Sequence, residues 1–158
     1  MPRQVKRGGL LPNPPDARDL RAFDGRLGGG IFNQPKIEDL PKEFILSPLF
    51  QYNQGEDDCS ANATGLAKSI QEGKKIHAPS LFGFSKLISG DPEAWGQTHR
   101  NALKAVTKFG CLLEEEVPQD LKDKDLSWWR EPSNWANRAE ELFALAAKNR
   151  AETFVAVS

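Results

Sequence analysis

The chain has 158 residues, enough for one domain with its own core, and 39% hydrophobic against 27% charged residues is ordinary for a soluble globular protein. With 21 basic and 22 acidic residues the formal charge is −1, which argues against bulk nucleic-acid binding, since that needs a basic face to neutralise phosphates. No apolar run approaches membrane-spanning length, and the first twelve residues hold only Leu10 and Leu11 as an apolar centre. Neither a membrane nor a signal peptide is expected, and the compartment is cytoplasmic by default.

Residues 1–40 are rich in breakers: Pro12, Pro14 and Pro15 enforce extended backbone, and Gly28, Gly29 and Gly30 are permissive. They are expected to form an irregular N-terminal arm or leader, with the body of the protein over 41–158. Pro41 to Tyr52 carries scattered apolar residues interrupted by Pro48, which predicts a packed extended segment and not a central strand.

The first strong helix signal starts at Cys59. Asp57 and Asp58 supply N-cap chemistry, and Gly73 followed by two lysines marks the end. Ala61, Ala63, Leu66, Ala67 and Ile70 predict its buried, small-residue face. A second helix is predicted from Ser80 to Ile88, between Pro79 and Gly90. A third begins at the cap Thr98, with Ala102, Ala105, Val106 and Phe109 in register, and ends at Gly110. Residues 114–131 read as polar and irregular. A fourth helix follows Pro132-Ser133, carrying Ala139, Leu142, Phe143 and Ala146 on one face, and Thr153 to Val157 is a β-type run. The fold class is α+β and helix-rich.

Two cysteines far apart do not make a disulfide framework, and Cys59, Cys111, His77 and His99 fit no compact zinc spacing. Asp120, Asp123 and Asp125 lack the glycine and terminal Glu of a calcium loop. No metal and no other cofactor is expected. Cys111 reads as a small buried residue, and Trp95, Trp128, Trp129 and Trp135 as core or lobe-interface aromatics.

The chemistry is concentrated in Tyr52-Asn53-Gln54-Gly55-Glu56-Asp57-Asp58-Cys59-Ser60-Ala61-Asn62-Ala63. A cysteine in the first turn of a helix meets the positive end of the dipole and free N–H groups, which favour the nucleophilic thiolate. The amide of Gln54 is a candidate donor to the oxyanion that forms when a carbonyl is attacked.

This order of Gln-Gly, short linker, Cys and small-residue helix resembles the papain-like cysteine peptidases. The leader Leu11-Pro12-Asn13-Pro14-Pro15-Asp16-Ala17-Arg18-Asp19 is similar to that of bacterial and viral members. Pro79-Ser80-Leu81-Phe82, Trp95-Gly96-Gln97-Thr98, Gly110-Cys111 and Glu115-Glu116-Val117-Pro118 also fall where the family has related segments. The resemblance covers most of residues 10–158. It implies a cysteine-type peptidase acting on peptide or protein substrates, with Cys59 as nucleophile and Gln54 and the Cys59 N–H as oxyanion donors. Gly96 and Trp95 would lie on the wall of the substrate cleft.

Three departures accompany it. Gln54 precedes Cys59 by five residues where the family has six. Glu56, Asp57 and Asp58 replace neutral residues, and carboxylates beside a thiol oppose thiolate formation. The family's histidine and its Asn or Asp partner lie roughly 130–150 residues after the cysteine, whereas 99 residues follow Cys59. The expectation is therefore a helical lobe with an N-terminal arm and a C-terminal strand, lacking the barrel lobe and inactive by itself. A second chain or segment would supply the histidine. The alternative is a non-catalytic relative that serves as an interaction or structural protein of a larger assembly.

Overall fold

The computed structural model describes residues 10–11, 50–54 and 57–152. The predicted arm beyond Leu10–Leu11, most of the Pro41–Tyr52 segment and the C-terminal β run lie outside these residues. The described residues belong to one unit by their mutual contacts.

Helix α1 spans Cys59–Glu72, and Gly73 closes it in the left-handed conformation at φ 67°. Helix α2 spans Ala78–Ser89 with a proline in its first turn, and Gly90 ends it at φ 72°. Strand β2, Gln97–Thr98, leads into α3, His99–Lys108, whose cap Thr98 accepts the Asn101 N–H. These three helices start and stop where local signals place them, because capping and proline chemistry act within one turn.

The rest differs from the sequence reading. Residues 114–131 hold a 3-10 turn at Gln119–Leu121 and a short helix α4, Leu126–Arg130, capped by Asp125 through the Trp128 N–H. The fourth predicted helix is broken into α5, Pro132–Trp135, a 3-10 turn at Ala136–Arg138, α6, Ala139–Ala146, and a final 3-10 turn at Ala147–Asn149. Trp135 and Arg138 leave helical backbone at φ −123° and −115°. The Trp135 ring is buried, and its Nε1 donates to Trp129 O at 3.1 Å. Docking that indole takes precedence over an unbroken helix.

Helix α2 is the centre, buried over Ser80–Lys86 and packed against α1, α3, α4 and α5. Phe84 meets Phe109, Trp135 and Phe143 edge-on, and Phe109 stacks on Phe143 with centroids 4.4 Å apart. Fully burying one such ring stabilises by roughly 1.5–3 kcal/mol. Among the described residues the only strand pairing besides one isolated bridge is parallel, Leu10 with Gln97 and Leu11 with Thr98 of β2, where Leu10–Leu11 is β1. The described part is thus almost wholly helical, as a helical lobe requires, and strand content is smaller than an α+β reading implies.

The buried face of α1 is a correction. Ala63 and Ala67 are exposed, while Ser60, Ala61, Thr64, Gly65, Lys68 and Ser69 are buried. Ser69 can face inward because its hydroxyl finds partners there, whereas the buried Ser60 Oγ has none among the described residues. The Tyr52 hydroxyl lies 2.5 Å from Ser69 Oγ and accepts the Ile76 N–H at 2.9 Å, and Ser69 Oγ donates to Gly65 O at 2.7 Å. A satisfied hydroxyl packs inside at little cost.

Candidate active site around Cys59

Cys59 is the first residue of α1 and is partly exposed. Asp58 occupies the cap position, but with φ −101° and ψ 16° its side chain makes no capping bond. The predicted carboxylate cap is therefore absent. Asp58 contributes its carbonyl, which accepts from the Asn62 N–H at 3.0 Å and from Asn62 Nδ2 at 3.2 Å. The first amides of a helix have no partner within it, and the Asp58 side chain does not cap them.

Asp57 does not face the thiol as a free charge. It is fully buried, and its Oδ2 accepts from Gly96 N–H at 3.1 Å and from Arg130 Nη2 at 2.7 Å. Lys86, also buried, donates through Nζ to the carbonyls of Ala94 and Gly96, the latter at 2.8 Å. Burial pushes the Lys86 ammonium below its ordinary pKa, opposed by the Asp57 charge. Lys86 and the Arg130 guanidinium both lie over the Phe82 ring, at 5.2 and 5.8 Å. Arg130 and Lys86 carry no signal in the sequence that links them to Cys59.

This carboxylate brings Gly96 within one hydrogen bond of the lead-in to Cys59. Gly96 has φ 70°, which favours glycine, and is buried. Its N–H is committed to Asp57, so it is not free to bind a peptide. Trp95 beside it is 40% exposed. Gln54 lies exposed in the irregular stretch 51–54.

The two histidines have other roles. His77 is buried, caps α2 by accepting the Ser80 N–H on Nδ1 at 3.2 Å, and meets the Trp129 ring edge-on. Burial, helped by the Lys75 charge, lowers its pKa to about 4, so it stays neutral. His99 borders a groove of about 460 Å³ between α1 and α3, with Ala63, Ala67, Leu103 and Val106. Ala63 lies one turn from Cys59 on the same helix face. Among the described residues no hydrogen bond joins either histidine to Cys59. Cys111 is buried, and burial raises its thiol to about 12. Among the described residues no three His, Cys, Asp or Glu side chains group to hold a metal. No described helix is long and apolar enough to cross a membrane.

The structure is similar to that of xylellain, a cysteine protease from Xylella fastidiosa, with a TM-score of 0.66 and 21% identity. The chain shares its fold with part of that protein. The match covers 95% of this chain and 58% of xylellain, so the chain spans little more than half that protein's length. No family model and no curated protein matches the sequence.

Proposed function

We propose that this chain is the cysteine-bearing lobe of a papain-like peptidase. The observation that carries the reading is the place of Cys59, partly exposed at the first position of α1, in a chain whose fold is similar to part of a cysteine protease. The Cys59 thiolate attacks a peptide carbonyl carbon. The oxyanion is held by the Cys59 N–H and the Gln54 amide. Collapse expels the amine, which takes a proton from a histidine acting as general acid, and leaves a thioester; water, losing a proton to the same group now acting as base, hydrolyses it and frees the thiol. His77 is committed to its cap role, and in this reading the base is a histidine of the second lobe that the family resemblance implies. Loss of that base would lower the rate by a factor on the order of 10²–10⁴.

The second reading is a non-catalytic relative that binds within a larger assembly. The commitment of the Gly96 N–H to Asp57 favours it, since that amide cannot hold an extended substrate.

The two readings separate with a peptidyl vinyl sulfone, followed by mass spectrometry of the labelled cysteine. The peptidase reading expects Cys59 to react with saturation, faster than glutathione does, and more slowly once Gln54→Ala is introduced. Reaction at the glutathione rate, without saturation and indifferent to Gln54, would overturn the peptidase reading.

A further inference from the structure

Asp57 stands two residues before Cys59, fully buried, yet its partners are far away in the sequence. Gly96 is 39 residues on and Arg130 is 73. The Gly96 unit is gripped on both sides, its N–H by Asp57 and its carbonyl by Lys86. The same stretch begins with Ala94, whose carbonyl accepts from Lys86 and whose N–H is fixed by Asp91 Oδ1 at 3.0 Å. It ends in Gln97, which pairs with Leu10. One carboxylate thus joins the lead-in to α1, the 94–97 segment and, through Arg130, helix α4.

A buried ion pair adds little net stability compared with apolar packing, but breaking one leaves a charge stranded. Its value lies in fixing one geometry. The pair is also incomplete: Asp57 Oδ1 and Arg130 Nε are buried without a hydrogen-bond partner. A purely cohesive contact would be better served by a bidentate pair. The end-on geometry instead leaves Oδ2 shared between Arg130 and the Gly96 amide.

We infer that Asp57 is a positioning residue that fixes the 94–97 segment, and with it the exposed Trp95 indole, against the helix start bearing Cys59. Asp57 acts through Gly96 and touches no substrate. Its effect on peptide capture rests on the peptidase reading above, while its effect on the 94–97 segment does not.

The test compares wild type with Asp57→Ala, Asp57→Asn and Arg130→Gln by amide hydrogen exchange and by inactivation kinetics at Cys59. In Asp57→Ala the Gly96 amide should exchange about 10- to 100-fold faster, the range for a lost hydrogen bond to a charged group. Residues 105–113 should be unchanged. Asp57→Asn keeps an acceptor oxygen and should restore part of the protection. With the peptidyl vinyl sulfone, KI should rise several-fold while the rate with iodoacetamide stays within about two-fold. Unchanged Gly96 exchange in Asp57→Ala, or equal loosening across 105–113, overturns the inference. If Asp57→Ala does not fold, Asp57→Asn carries the exchange readout: its neutral acceptor should leave Gly96 exchange several-fold faster than wild type, with Arg130→Gln, which keeps the Asp57 acceptor, closer to wild type. A wild-type chain that never saturates with the peptide probe sinks the peptidase reading, and Gly96 exchange then decides the positioning role alone.

Discussion

The backbone N–H of Ser80 donates to Nδ1 of His77, 3.2 Å away, and this single bond caps the central helix α2. It needs a neutral imidazole. Burial holds His77 at about 4, against 6.5 in the unfolded chain. Above pH 6.5 both states are neutral and the full stability is present. As pH falls from 6.5 to 4 the unfolded state takes up a proton that the folded state refuses. Stability therefore drops by about 3 kcal/mol across that window and levels below it. Urea denaturation at pH 7.5 and 4.5 should show a larger drop for wild type than for His77→Asn, which keeps a cap acceptor and removes the titration. Equal drops in the two proteins would show that His77 titrates normally.

Glycines at three positions should respond in opposite directions. A Cβ on Gly83 would sit 2.4 Å from Trp129 O, and one on Gly110 would sit 1.9 Å from Ala146 O at φ 93°. Backbone stands in the way at both sites, so Gly83→Ala and Gly110→Ala should each destabilise by about 1–3 kcal/mol or more. At Gly65 the nearest atoms, on Tyr52 and Ile76, lie at 3.7–3.8 Å. Gly65→Ala in mid-helix should stabilise by about 0.5–1 kcal/mol. Thermal melts of the three variants check the signs.

The two thiols should separate cleanly. Iodoacetamide on the folded protein should modify Cys59 alone, because Cys111 is inaccessible and burial holds its thiol protonated up to about 12. In urea both should react. Native labelling of Cys111 would mean that the contact between Gly110-Cys111 and the end of α6, made by the Cys111 N–H to Ala146 O at 3.1 Å, opens readily.

Tyr52→Phe removes the hydroxyl that meets Ser69 Oγ and accepts the Ile76 N–H. The Ile76 N–H retains Ser69 Oγ at 3.0 Å. The loss should therefore stay near 1–2 kcal/mol in urea denaturation. A neutral effect would show that the hydroxyl network does not anchor the Gln54 loop to α1.

The helix starts and stops were legible in the sequence. Gly73, Pro79, Gly90 and Thr98 act on backbone within a turn, and each stands where the structure places a boundary. Cys59 at the head of a helix was legible for the same reason. Helix α4 was not read, although its cap, Asp125, was in view; a five-residue helix offers too few positions to show a period.

The inward face of α1, the break at Trp135 and the pairing of Asp57 with Arg130 and Gly96 were decided only in the tertiary structure. Small side chains such as Ala63 and Ala67 carry too little apolar area to choose a face alone. The face was chosen by Ser69, whose hydroxyl finds Tyr52 and Ile76. Asp57 beside Cys59 reads as repulsion locally, and it becomes a paired anion because Arg130 and the Gly96 amide converge on it. A local pattern sets where the backbone turns; what a buried polar group costs depends on partners that only the folded chain brings near.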